Sequence, residues 1–364
     1  MTEHGQAAPT DPPSDPASAT DPLAPIGPAA RRGPLRAGER VQLTDAKGRM
    51  HTIQLREGGH FHTHRGGINH EDIIGQSDGS VVLTAEDHEY LVLRPLLSDY
   101  VMGMPRGAAI VYPKDSGQIV QMADIFSGAV VAEAGVGSGS LAMSLLNTIG
   151  TTGRLISMER RRDFAEIAQA NVRAWFGADH PAWEVHVGDL AEVLPDVAAP
   201  GTVDRVVLDM LAPWENVEVV AEALAPGGVV LAYVATTTQL SRFVEDLRTS
   251  GAFTEPQAWE SMVRTWHLEG LAVRPDHRMV AHTGFLVTAR RLATGTVPPQ
   301  RTRRPAPGAH SEDDGGTVAA WTPESLGERA MSDRKVRRVA RDLRSRAAYD
   351  AATAPDDAGA PAGL

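Results

Sequence analysis

An apolar run, Val130-Val-Ala-Glu-Ala134, breaks into Gly135-Val-Gly-Ser-Gly-Ser140 and resumes as Leu141-Ala-Met-Ser-Leu-Leu146. This reads as a buried parallel strand, a tight turn with room for a ligand, and a helix whose N-terminus faces that ligand. The glycines are spaced G-x-G-x-G. The dinucleotide fingerprint asks for G-x-G-x-x-G, and its third position here is Ser140. That departure favours a smaller nucleoside ligand, above all S-adenosylmethionine, over NAD. Glycine-rich turns between strand and helix also occur without any ligand, so the motif needs support from the rest of the chain.

With 364 residues the chain can hold about two cores. No apolar run reaches the roughly 20 residues of a membrane span, and the Pro-, Ala- and Asp-rich start has no apolar signal core. Cysteine is absent, which removes disulfides and thiolate metal sites and fits a cytoplasmic address. A net charge of -11 speaks against general polyanion binding and leaves any nucleic-acid contact to local basic patches.

Residues 1–34 carry few large apolar side chains and read as a disordered leader. Short apolar runs over 35–98, such as Met50–Leu55, Ser80–Thr84 and Glu89–Arg94, predict a small β domain. Within it His60, His62 and His64 alternate, with His70 nearby. Period-two spacing puts the first three on one strand face, where they could hold a metal. No carboxylate completes a familiar ligand spacing, so no metal is expected; Arg65–His70 reads as a surface turn in a polar loop that could face RNA. A helix is expected over Ser116–Ile125, and Tyr112, before Pro113, is held extended and suited to presenting a ring to a cleft.

Over 99–292 strand and helix alternate. Expected strands are Gly153–Glu159, Trp183–Asp189, Val203–Asp209 and Gly227–Val234, with helices over Asp163–Phe176, Glu215–Leu224 and Gln239–Thr249. Such alternation predicts an α/β fold, a doubly wound Rossmann-like sheet whose ligand lies beyond the C-terminal strand ends. Two later runs, Gln257–His267 and Val280–Ala289, predict a closing antiparallel pair typical of methyltransferases. The tail, 293–364, reads as largely disordered, with a basic helix at 332–349 whose apolar residues Val336, Val339 and Leu343 recur at helical spacing. A solvated charged helix is the default for it, and auxiliary RNA contact the sharper alternative.

Acids close three successive expected strands: Glu159, Asp189 and Asp209. Acids often cap the helix that follows a strand, yet here they coincide with the glycine turn. Glu159, about 20 residues past the last glycine, suits the ribose hydroxyls. Asp189 suits the adenine amino group, and Asp209 would face the reacting centre.

At this point the chain resembles the bacterial and archaeal tRNA (adenine-N1)-methyltransferases that modify adenosine 58 of the T loop. Three segments carry the resemblance: Met104–Asp115, Glu133–Ser140 and Leu208–Trp214. The first and third are distinctive, and the likeness spans roughly residues 35 to 290. It implies a homotetramer that uses S-adenosylmethionine, needs no metal and acts on the T loop of tRNA. It further implies Asp209 and Tyr112 at the target base, and cofactor contacts from Glu133, Gly135, Val136, Gly137, Ser138, Gly139, Ser140, Glu159, Phe164, Asp189 and Asp209. Phe164 stands where relatives often have a basic or polar residue. Three rival readings remain open. An N6-amino methyltransferase would show a contiguous Asn/Asp-Pro-Pro-aromatic motif, whereas Met210–Ala212 separate Asp209 from Pro213. A non-catalytic tRNA-binding subunit usually lacks the intact cofactor turn, and an NAD oxidoreductase would want glycine at Ser140.

Overall fold

The computed structural model describes residues 26–299 and 333–352. The expectations for 1–25, 300–332 and 353–364 lie outside the described residues.

Six strands come first: β1 Arg40–Asp45, β2 Met50–Gln54, β3 His60–Thr63, β4 Gly66–Asn69, β5 Ser80–Leu83 and β6 Glu89–Leu93. Four of them form an antiparallel sheet in the order β2-β1-β6-β5. Its inner face and the flanking turns bury Leu35, Val41, Leu43, Leu55, Ile68, Ile73, Tyr90 and Val92 as a separate core. The segment read as a surface turn instead pairs, with β4 lying antiparallel to β3. Two residues explain this. Ile68 is fully buried in that core, and Gly67 lets its backbone lie against the His60 ring, where an added Cβ would approach to 2.0 Å. The rings of His60 and His62 do share a face, 4.0 Å apart. His70 is buried and its Nδ1 accepts from the Arg56 amide at 2.9 Å, so it serves the turn. Among the described residues no group of three or more His, Cys, Asp or Glu is arranged to hold a metal.

Helix α1 (Leu97–Gly103) leads into α2 (Pro113–Met122). The latter begins earlier than expected because Pro113, lacking an N–H, starts a helix without losing a bond. The alternating region follows as β7 Val130–Ala134, α3 Ser140–Ile149, β8 Arg154–Glu159, α4 Arg162–Phe176, β9 Trp183–Val187, α5 Leu190–Val197 and β10 Val203–Leu208. A 3-10 turn at Pro213–Asn216 precedes α6 Val217–Ala223, β11 Leu224–Val234, α7 Thr237–Ser250, β12 Gln257–Trp259, β13 Trp266–Glu269, β14 Ala272–Pro275 and β15 Phe285–Arg290. Seven strands make one sheet in the order β12-β15-β11-β10-β7-β8-β9. The five from β9 to β11 are parallel, while β15 runs antiparallel to β11 and to β12. The expected closing pair is therefore β12 with β15, and the run Gln257–His267 splits, its end forming a separate hairpin of β13 and β14. Cores cover both faces of the sheet. Leu141, Met143, Leu145, Leu146 and Ile149 of α3 are fully enclosed in one of them.

Two segments assigned to tails are ordered. Gly27–Arg31 forms a 3-10 turn within the expected leader. Arg31 stacks its guanidinium 4.2 Å from the Trp175 ring centre and donates to the Trp175 carbonyl, contacts 144 residues away in sequence. Helix α8 (Asp333–Ala352) forms as expected, but it is docked: Val336 and Ala340 are buried against Ile167, with Phe164, Val339 and Leu343 at the margin. No helix among the described residues is long and apolar enough to cross a membrane.

Candidate active site

In the sheet order β8-β7-β10 the chain leaves β7 to one side and later returns on the other, so the crevice at their C-terminal ends is the switch point where such sheets bind ligands. Gly135 ends β7 there, with φ at +87°. A Cβ on Gly135 would lie 1.8 Å from the Asp209 carbonyl oxygen, so only glycine fits. The Asp209 amide in turn donates to the Ala134 carbonyl at 2.9 Å, holding the ends of β7 and β10 together. Gly137 and Gly139 also have positive φ, and a Cβ on Gly139 would press on Ala168 of α4. Backbone thus fills the space that side chains would take, leaving a cradle at the head of α3.

The acids converge on this cradle. Glu159 accepts from the Gly137 amide at 3.0 Å through one oxygen and from the Arg161 amide at 3.0 Å through the other. Each oxygen keeps a second lone pair for a ligand hydroxyl. Glu133 is wholly buried on β7. One of its oxygens accepts from Ser157 Oγ at 2.7 Å, and Ser157 is fixed by the Trp183 indole at 2.9 Å. Its other oxygen has no hydrogen-bond partner among the described residues. Burial, with added repulsion from Asp209 and Glu159, pushes the Glu133 carboxyl up to about 8 despite the Ser157 bond. Asp209 rises to about 7 because protein encloses it and Glu159 repels it, although part of the side chain still meets solvent in the cleft. Three mutually repelling carboxyls around one cradle, one with an orphaned oxygen, fit a cationic nucleoside such as S-adenosylmethionine, whose sulfonium and ammonium would relieve that repulsion.

Asp189 sits apart from this repulsion. It caps α5 by accepting from the Ala191 amide at 3.0 Å and pairs with Arg160. Val136 is buried in the turn. The two serines spend their hydroxyls within the protein. Ser138 Oγ accepts from the amides of Gly107 and Ala108 at 3.2 and 3.3 Å, and Ser140 Oγ donates to the Val111 carbonyl at 2.9 Å. Asn171 ties the Ser138 carbonyl to that of Pro105. The segment Met104–Asp115 is therefore laced onto the glycine turn. Phe164 stacks on Arg161 at 4.2 Å and packs toward α8, so its ring is engaged by protein.

Tyr112 caps α2 in an extended conformation, ψ 153°, and is half-buried. Beneath it lies a network that sequence reasoning passed over. Lys114 Nζ donates to Asp115 at 2.7 Å, to the Ser261 carbonyl at 2.8 Å and to Thr283 Oγ1 at 2.6 Å. Ser261 and Thr283 donate to the two Asp115 oxygens at 2.8 and 2.6 Å. Tyr233, beside Thr283 and close to Asp115, Asp209 and Tyr112, has its hydroxyl held protonated by burial. The Pro113-Lys-Asp115 triplet was the one visible signal, since a charged pair just inside a helix start must find partners when buried.

A switch point sealed by Gly135, a backbone cradle and carboxyls at the adjoining strand ends define the class of S-adenosylmethionine-dependent methyltransferases. Solved structures agree. A Thermotoga maritima protein described as an S-adenosylmethionine-dependent O-methyltransferase aligns with TM-score 0.66 and 30% identity, over 71% of this chain and 95% of its own. The tRNA (m1A58) methyltransferase TrmI of Aquifex aeolicus shares the fold, with TM-score 0.63 at 24% identity over 72% of this chain and all of its own. Residues 33–82 match the TrmI-like N-terminal family, and residues 90–279 match the family of the tRNA methyltransferase complex GCD14 subunit. The tRNA (adenine(58)-N(1))-methyltransferase TrmI of Thermus thermophilus is 35% identical over 68% of this chain and 95% of its own length. The Methanocaldococcus jannaschii enzyme, a tRNA (adenine(57)-N(1)/adenine(58)-N(1))-methyltransferase, is 29% identical over 71% and 95%. The chain belongs to the GCD14 family of tRNA methyltransferases.

Proposed function

We propose that this protein methylates ring N1 of adenosine 58 in the T loop of tRNA, in the cytoplasm, with S-adenosylmethionine as donor. The observation that carries the reading is the junction of Asp209 with Gly135, where the acid of the third distinctive segment stands against the cofactor turn. S-adenosylmethionine, when bound, supplies an electrophilic methyl group on a sulfonium. Glu159 would accept from the ribose hydroxyls of that group and Asp189 from its adenine amine. Glu133 offers its orphaned oxygen to a donor in the cradle.

Neutral adenine N1 carries a lone pair and no proton, so attack needs no base. The residues contribute position and charge. Asp209 accepts a hydrogen bond from the exocyclic N6 amine, orients the ring and stabilises the positive charge the base acquires. N1 lies on the pairing edge, so the base must leave its T-loop contacts. Tyr112, whose carbonyl accepts from the Asp115 amide at 2.9 Å, supports the displaced ring.

We also propose assembly as a homotetramer. The β13–β14 hairpin stands outside both sheets and exposes Trp266, Leu268, Leu271 and Val273. An isolated two-stranded ribbon is marginal in water, and a second copy covering it supplies the missing face. The test of the reaction is incubation with labelled S-adenosylmethionine and unmodified tRNA, followed by nucleoside mapping. Label at N1 of the T-loop adenosine is expected; label at N6, on protein or nowhere would reject the reading.

A further inference from the structure

Helix α8 lies beyond both family matches, which end at residue 279. Its residues Asp333–Ala352 hold seven cations against three carboxylates, on a chain whose net charge is -11. The apolar stripe is spent on α4, where Val336 and Ala340 are buried against Ile167. Two ion pairs fix the register: Arg161 with Asp333 at 3.5 Å, and Arg344 with Glu166. Docking turns Arg334, Arg337, Arg338 and Arg341 outward, and with Lys335 they line one shallow concavity. Among the described residues, no carboxylate pairs with Arg334, Lys335, Arg337 or Arg338.

Like charges three and four residues apart disfavour a helix, so this face repels itself, and among the described residues only its Arg341 finds an acid, Asp342 at 3.7 Å. A polyanion relieves that repulsion. Planar guanidiniums suit phosphate in particular, which they can grip with two parallel hydrogen bonds. A membrane surface fits poorly, because an interfacial helix needs a free apolar face and α8 has committed its own. The position also matters. Phe164 and Ile167, which receive α8, press on Gly107, whose amide bonds Ser138 of the cofactor turn. The cations therefore ride on the element that backs the site.

We infer that docked α8 is an RNA phosphate-binding surface that holds the body of the tRNA while its target base is in the cleft. This rests on the reading of tRNA as substrate. The test uses the full chain, fluorescence anisotropy with an unmodified tRNA transcript over a NaCl series, and the variant R334Q/R337Q/R338Q/R341Q, whose exposed positions leave the core intact. The expected result is at least ~10-fold weaker binding with a salt slope shallower by about 2 to 3, each phosphate contact contributing somewhat under one. KM for tRNA rises, while kcat at saturating tRNA and affinity for S-adenosylmethionine stay at wild type. A second variant, V336D, keeps every cation and undocks the helix, and it should weaken binding as well. Wild-type affinity and slope in the quadruple variant would overturn the inference. So would wild-type affinity in V336D, or a loss seen only with vesicles containing phosphatidylserine. If the wild-type enzyme methylates no tRNA, it is the reading of the substrate that fails. If it does, and the quadruple variant keeps its KM, only this inference fails.

Discussion

At Asp209 a single residue serves both the cofactor turn, through its carbonyl against Gly135, and the cleft, through its carboxyl. The two roles separate experimentally. Asp209→Ala should keep S-adenosylmethionine binding by calorimetry and lose at least ~100-fold in kcat, the scale of a lost charge-stabilising contact; turnover near wild type would remove Asp209 from the chemistry. Gly135→Ala should fail at the other role, because its Cβ meets backbone that cannot step aside, and cofactor binding should disappear together with about 2–4 kcal/mol of stability. The carboxyl's ordinary range is near 4 and burial has raised it to about 7, so kcat/KM should climb with pH through about 7 as Asp209 ionises. Stability without ligand moves the opposite way. Glu133 and Asp209 keep protons in the folded state that the unfolded chain has released, so the stability these two contribute is full below about pH 4 and declines as pH rises to about 8, while His180, pushed down to about 4 by burial, contributes in the opposite sense between about 4 and its ordinary range. Melting temperatures across that window should therefore shift in favour of Glu133→Gln over the wild type as pH rises, because the variant lacks the Glu133 contribution that declines.

At the level of elements, what could be read from sequence was what repeats locally. The strands β7, β8, β10 and β11 carry apolar stretches, β7 to β10 end at or just before a glycine or acid, and α4 and α7 show helical spacing between clear stop signals; both patterns follow from burial on one or both faces. The glycine turn and its junction with Glu159 were legible for the same reason, since they lie within one strand-turn-helix unit and the next strand end. What was missed depends on distant partners. Asp115 is held by Ser261 and Thr283, 146 and 168 residues away, and Arg31 orders its segment only through Trp175. The Ser138 and Ser140 hydroxyls also tie the turn to the segment that holds Tyr112, because a hydroxyl in a tight turn takes the nearest backbone partner. The buried pair of Lys114 and Asp115 predicts its own failure. Asp115→Ala leaves an ammonium enclosed without its carboxylate, so urea unfolding should reveal a loss of about 3–5 kcal/mol, and KM for tRNA should rise as Tyr112 loses its support. Unchanged stability would mean the cluster is open to water.

On the scale of the whole molecule, the balance of surfaces points to assembly. The small β sheet and the large sheet each enclose a core, yet the ribbon from Met262 to Val280 keeps Trp266, Leu268, Leu271 and Val273 in solvent, with Leu271 fully exposed at its tip. Backbone bonds between Val263 and Val280, both 3.0 Å, lengthen the hairpin, which among the described residues has no third strand. Contiguous apolar surface of this kind marks a contact site rather than a folding defect, and in a symmetric oligomer the same ribbon can cover its counterpart. Replacing Leu268 and Val273 by Asp adds charge where a partner would sit and touches neither core. Sedimentation equilibrium should then show a species smaller than the proposed tetramer, with S-adenosylmethionine binding retained because the cradle is built within one chain. A mass unchanged from the wild type would mean that the ribbon is not the assembly face.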